Sequence, residues 1–343
     1  MKKITGLLLV LTLWVTGLFA QESTVSNYIA LGIKLHDKGD YSSAIDFYKK
    51  ALLIDNKSAS ANYEIAASYF ALKQYQNTIK FADKVIAINT NNVDQAYTLK
   101  GSSYDLLGKP QDAVKTYKKA LQKYTGNHLL YYNLALTSFN LKKYSDTEDA
   151  LQKSLKLNQM HAGSHFLMGL CMVVQEKRVQ GILALYNFLL LEPKTKRAGA
   201  ALQTLEEELA KGVKKENKKP TTTTLPAKKD DDEFYTADLM LNLLESSKNN
   251  ETNKNKPAPE LFAENTNSFF TILGEMKKDK KGFWWKFYVD YFYTIATEKH
   301  SRAFCYYITQ SKDSTYDEWI KDKNNLTKME EFSEWYTKYL HKF

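Results

Sequence analysis

Six sulfur- and imidazole-bearing residues crowd one stretch of this sequence: Met160, His161, His165, Met168, Cys171 and Met172. On a helix, positions 161, 165, 168 and 172 share a face. Soft ligands of this kind suit copper. Packing accounts for three of the six without a metal, because His165, Met168 and Met172 stand in register with Tyr131, Leu134 and Ser138 one repeat earlier. No metal site is assigned. His300 near Cys305 supplies a base and a nucleophile by type, but no third partner is placed to orient them. The chain carries no His-Glu-x-x-His, no Gly-x-Ser-x-Gly and no phosphate-cradling Gly-rich loop. No catalytic residue and no cofactor is assigned, and an enzyme is not expected. A third candidate chemistry is aromatic stacking on sugars. Four of the five tryptophans, Trp284, Trp285, Trp319 and Trp335, lie among 21 aromatic residues beyond Leu261. Exposed, they would attach the chain to glycan. In a domain of about 80 residues they would also supply most of the core.

The elements that must position these residues repeat. Gly32, Ala66, Gly101, Ala135 and Gly169 are spaced 34, 35, 34 and 34 apart. Ala44, Thr78, Ala113, Thr147 and Gly181 follow each of them by twelve residues. Four residues further on stand Tyr48, Ala82, Tyr117, Leu151 and Leu185, and Tyr41, Tyr75 and Tyr144 share another column. Such columns arise when each unit is a pair of antiparallel helices. Small residues sit where the two backbones meet, and large ones fill the space between pairs. One pair cannot bury its apolar faces alone, so the stack is the folding unit. The class is all-α. Gly and Pro are scarce, and long Val/Ile/Thr alternations are missing.

This pattern resembles the tetratricopeptide repeat (TPR) family over about residues 25–193. Tyr63, Ile65, Ala66, Tyr69, Tyr75, Thr78 and Ile79 match its helix–turn–helix signature, as do Gly101, Tyr104, Ala113, Tyr117 and Ala120. Glu192 and Pro193 end the fifth unit at the family's proline position. The signature Trp is replaced by Tyr28, Asn62, Tyr97, Tyr131 and His165. The resemblance implies a solenoid of about five repeats, with a capping helix read at Ala198–Lys211. It also implies that the first helix of each pair lines an inner groove. The groove positions are Ile29, Ile33, Tyr63, Phe70, Asp105, Tyr132, Leu136, Phe139, Phe166 and Leu170. Most are apolar, which suits a partner helix laid in a groove. One branch of the family grips peptide carboxylates with Lys and Asn. The corresponding residues here are Ile29, Ile33, Glu64, Gln95 and Leu99, so that clamp is absent.

Four segments are expected. Lys2 and Lys3, the apolar run Gly6–Phe19 and Ala20 describe a signal peptide at 1–20. No later segment reaches the ~20 apolar residues of a bilayer span, so the mature chain is expected to be periplasmic or extracellular. The repeat domain with its cap occupies 21–210. A flexible linker follows at 211–258, rich in Lys, Thr, Asn and Asp, with a short helix at 234–246 that would be free to cover the groove. The last domain, 259–343, reads as four or five short helices. The formal charge is +9. Its lysines are spread along the chain, so a nucleic-acid surface is not expected. Cys171 and Cys305 read as two buried thiols. The sequence therefore points to an exported scaffold that binds a protein segment, with assistance in envelope assembly as the expected setting. Glycan attachment is the alternative.

Overall fold

The structure is a computed structural model. It describes residues 24–214, 222–223, 233–248 and 250–340. The expected signal peptide at 1–20 lies outside these residues, as does most of the linker between 215 and 232. The chain divides into two compact units, 1–157 and 158–343.

The described part of the first unit is four helix pairs. They are α1 (24–37) with α2 (Tyr41–Ile54), α3 (Ala59–Ala71) with α4 (Tyr75–Ile88), α5 (Val93–Leu106) with α6 (Pro110–Leu121), and α7 (His128–Asn140) with α8 (Tyr144–Leu157). Side-chain caps start several of them. Asp40, Ser58 and Asn127 accept the orphan N–H groups of Ser43, Ala61 and Leu129. The turn inside each pair reverses through one left-handed residue: Gly39, Lys73, Gly108 and Lys142 in this unit. Glycine adopts that conformation without strain and lysine does not.

The small-residue column is a size exchange between the two helices of a pair. A Cβ placed on Gly32 would lie 2.3 Å from the Tyr48 ring, and one on Gly101 would lie 2.3 Å from Tyr117. Where Ala66 replaces glycine, its column partner is Ala82; both are fully buried. Tyr117 is held in place, since its hydroxyl meets Ser102 Oγ at 3.0 Å. Gly101→Ala is therefore expected to overpack this contact and cost about 1–3 kcal/mol. Urea denaturation followed by circular dichroism reads it, and an unmoved midpoint would contradict the assigned contact.

The second unit is also helical. It opens with the fifth pair, α9 (Ala162–Val174) and α10 (Arg178–Leu191), then α11 (Lys196–Ala210). A short antiparallel pairing follows, β1 (Val213–Lys214) with β2 (Thr222–Thr223). Next come α12 (Tyr235–Ser247), α13 (Ala258–Met276), a π-helical turn (Trp284–Val289) leading into α14 (Asp290–Thr297), α15 (Ser301–Ile308), α16 (Thr315–Trp319) and α17 (Lys323–Leu340). In the fifth pair a Cβ on Gly169 would lie 2.8 Å from Leu185, so the column continues.

Here the organisation differs from the expected one. The fifth pair and the aromatic helices share one core that runs past the boundary expected at 210. Tyr186 of α10 lies among Phe262 and Phe270 of α13, Phe292 of α14 and Phe304 of α15, with ring centroids 5.3 to 6.4 Å away. Its hydroxyl meets Thr266 Oγ1 at 3.0 Å. The cause is α10 itself: GILALYNFLLL is apolar on every side, and such a helix must be covered all round. The helix expected at 234–246 forms, but not as a tethered groove cover. It packs on α10, α11 and α13, with Phe234, Ala237 and Leu241 buried. Phe234 stacks on Trp285 at 4.5 Å, and the Trp285 indole donates to Glu233 at 2.5 Å.

Candidate functional site

The surface of interest lies in the first unit, on the first helices of its pairs. α3 packs on α5 and α5 on α7, so these helices line up side by side. Polar links between residues about one repeat apart set the register. His36 Nδ1 meets Ser68 Oγ at 2.9 Å, the Thr137 hydroxyl donates to Asp105 at 2.8 Å, and Asn127 donates to Asp94 at 2.7 Å. Asp105, expected to line the groove, is thus a half-buried tie between neighbouring pairs. Ile33 is 38% exposed. Ile29, Tyr63, Phe70, Tyr132, Leu136 and Phe139 are half-buried. Phe70 and Phe139 occupy the same column. Each lies edge-on to the first tyrosine of its second helix, Tyr75 or Tyr144, with centroids 5.7 Å apart.

Phe166 and Leu170 belong to the second unit and are half-buried there. Phe166 packs on Phe188 at 4.8 Å, with the Arg197 guanidinium 6.0 Å from its ring. Part of its face is therefore occupied by its own unit.

Of the sulfur- and imidazole-rich stretch, His165, Met168, Cys171 and Met172 are packed core, while His161 is half-buried and Met160 is exposed. His165 is fully buried, and both ring nitrogens are engaged: Nε2 with the Gln159 carbonyl at 2.8 Å, Nδ1 with the Tyr288 hydroxyl at 2.8 Å. A carbonyl only accepts, so Nε2 carries the proton and Nδ1 accepts from Tyr288. Burial pushes His165 down to about 4, so the ring is neutral at ordinary pH. His161 caps α9, its Nδ1 accepting from Ser164 N at 3.2 Å. Among the described residues no group of three or more His, Cys, Asp or Glu is placed to hold a metal.

The other sequence candidates are buried or packed against rings of their own unit. Cys305 is buried, and burial pushes its thiol up to about 12. It is protonated at neutral pH and is no nucleophile in that state. His300 packs against the rings of Phe332 and Trp335, at 5.8 and 5.1 Å. Cys171 is also buried, and the two thiols form no disulfide. Trp285 and Trp319 are buried, the latter stacked on Tyr306 at 4.4 Å. Trp284 stacks on Tyr288 at 5.1 Å, and Trp335 packs with Tyr291, Phe332 and Tyr339. Trp284 and Trp335 remain half-buried.

Sequence reasoning passed over Arg178. It is buried, donating to Asp238 Oδ1 at 2.7 Å, to Asn242 Oδ1 at 2.6 Å, and to the carbonyls of Glu208 and Leu209 at 2.6 and 3.0 Å. A signal existed in composition. Arg178, Arg197 and Arg302 are the only arginines in a lysine-rich chain. Arg197 pairs bidentately with Glu192, and Arg302 pairs with Glu260. The planar fork is used where several acceptors converge.

Comparison with known proteins bears on the repeats. Residues 32–73 match the family described as TPR repeat, and residues 73–154 match Anaphase-promoting complex, cyclosome, subunit 3. The two matches abut within the four helix pairs. Residues 32–154 are tetratricopeptide repeats. A TPR repeat-containing protein of Methanocaldococcus jannaschii, MJ1428, is 24% identical over 125 residues, 36% of this chain and 22% of the relative. The chain thus spans about a fifth of the length of that curated relative. Among solved structures, YrrB is described as a TPR protein with an unusual peptide-binding site. It is 17% identical with a TM-score of 0.43, covering 56% of this chain and 97% of its own. Pseudomonas aeruginosa pilF is 20% identical with a TM-score of 0.46, covering 55% and 90%. No described helix is long and apolar enough to cross a membrane.

Proposed function

We propose that this chain is a non-catalytic scaffold whose TPR groove, in residues 24–157, holds an apolar segment of a partner protein. The observation that carries the reading is the set Ile33, Phe70, Leu136 and Phe139, partly open apolar side chains on the first helices of the first, second and fourth pairs. Apolar surface left in water is unfavourable by roughly 25 cal/mol per Å², so a partner helix gains by covering it. The basic start, apolar run and Ala20 support a location outside the cytoplasm after cleavage, and assistance in envelope assembly fits that location. The glycan reading is not favoured, because the four tryptophans pack against other rings of their own unit.

The test is Phe70→Ala with Phe139→Ala. The mature chain is titrated against the partner that envelope extract yields. Each truncation is expected to weaken binding about tenfold, or about 1.4 kcal/mol, while helicity stays unchanged. Unaltered affinity would put the partner elsewhere.

A further inference from the structure

The second unit carries a surface that is independent of the groove. Lysine is spread along the chain, yet residues 277–287 hold five lysines against one acid, Asp279, a net charge of +4. The same residues hold Phe283, Trp284, Trp285 and Phe287, so the charge is interleaved with large rings.

The segment joins α13 to α14 through the π-helical turn. Its start is anchored: the Lys277 ammonium meets Asp290 at 2.6 Å and lies 4.7 Å from the centre of the Tyr293 ring. The backbone then turns, with Lys280 N donating to the Lys277 carbonyl at 2.9 Å. The Lys280 ammonium comes back over the Trp285 ring at 5.9 Å. The lysine loop is thus folded against the turn that carries the rings. Within that turn Trp285, Tyr288 and Val289 are buried. Phe283, Trp284 and Phe287 are left half-buried. Phe283 stacks on Phe287 at 4.7 Å and Trp284 on Tyr288 at 5.1 Å, so one face of each ring is taken by a neighbour.

The charges beside these rings are open. Lys278, Lys281 and Lys286 are exposed, and their side chains make no ion pair or hydrogen bond among the described residues. The nearby acids are mostly committed elsewhere. Asp290 is held by Lys277, Glu275 accepts from the Tyr293 hydroxyl at 2.8 Å, and Glu233 accepts from the Trp285 indole. Asp279 alone is set against three lysines. Such a surface attracts anions. Nucleobases need an open ring face to stack on. The headgroup layer of a bilayer takes a partly covered Trp or Phe beside lysines, because it offers phosphate and apolar surface together.

We propose that Lys278, Lys281 and Lys286, with the rings of Phe283 and Trp284, form a contact surface for an anionic lipid bilayer. The ammonium groups pair with lipid phosphates, and the two rings enter the headgroup layer. The association is peripheral, since no described helix is long and apolar enough to cross a membrane.

The test is sedimentation of the mature full chain with vesicles at physiological salt. One set is phosphatidylcholine alone, the other equal parts phosphatidylcholine and phosphatidylglycerol. Binding to the anionic set is expected to be at least about tenfold tighter. Lys278→Gln with Lys281→Gln and Lys286→Gln is expected to lose that preference while its circular dichroism stays unchanged. The charge-matched control, Lys115→Gln with Lys118→Gln and Lys119→Gln on α6, is expected to bind as wild type. Lipid brominated near the headgroup is expected to quench tryptophan fluorescence, and Trp284→Phe is expected to remove most of the quench. Soluble oligothymidine or polyglutamate at equal charge is expected not to displace the chain from the vesicles. Equal binding to both vesicle sets, or equal losses in the two triple variants, would overturn the surface. So would a quench that is absent or survives Trp284→Phe. Full displacement by either soluble polymer would make it a general polyanion site and overturn the bilayer reading.

Discussion

Arg178→Met is expected to destabilise the second unit by about 3–5 kcal/mol, the cost of breaking a buried ion pair by removing one partner. The guanidinium is 6% exposed and serves four acceptors at once. Its loss strands the Asp238 carboxylate and leaves the last carbonyls of α11 unpaired. It also unties α12 from α10 and α11. Arg178→Lys is expected to rescue little, since an ammonium cannot span acceptors on two helices as the fork does. Arg178→Met combined with Asp238→Leu is expected to recover much of the loss, because no lone charge then stays buried. All four described tryptophans lie in this unit, so their fluorescence during urea denaturation reports it directly. A loss below about 1 kcal/mol for Arg178→Met, the range of an exposed pair, would show that the network is not what binds these helices.

The second large effect is a loss of stability on mild acidification. His165 is held near pKa 4 by burial, against an ordinary 6.5. The unfolded chain takes up this proton below about pH 6.5, and the folded chain only below about 4. Stability from this group is complete above pH 6.5 and falls as pH drops through that window, then levels off. The full difference is about 3 kcal/mol at 1.36 kcal/mol per pKa unit. His165→Gln keeps a donor for the Gln159 carbonyl and an acceptor for Tyr288 but does not titrate. The two denaturation curves, compared from pH 7 to pH 4, are expected to converge as pH falls. Curves that stay parallel would mean that His165 is already charged, or equally exposed, in the folded state.

The repeats were legible because their determinants are short-range. A glycine and the tyrosine that crosses it are sixteen residues apart, as in Gly32 with Tyr48, and the exchange recurs often enough to see. The seat of α12 was not legible. Arg178 meets Asp238 and Asn242 sixty or more residues away, and Tyr186 meets the rings of helices that sequence spacing cannot order. The clue was present in α10, whose apolar residues leave no polar face, and in the scarcity of arginine. The groove positions followed from register alone, which places a residue on a helix but cannot say what else touches it. Asp105 proved to be tied to Thr137, and Phe166 proved to be packed under Arg197.

The groove reading is tested most directly by site-specific photo-crosslinking in the cell that makes the protein. Benzoylphenylalanine is placed at Phe70 or Tyr132 on the first helices, and at exposed Lys118 on α6 as the control. A discrete adduct from positions 70 and 132, absent from position 118, is the predicted result. An adduct from position 118 alone, or the same adducts from all three, would contradict a partner held in the groove.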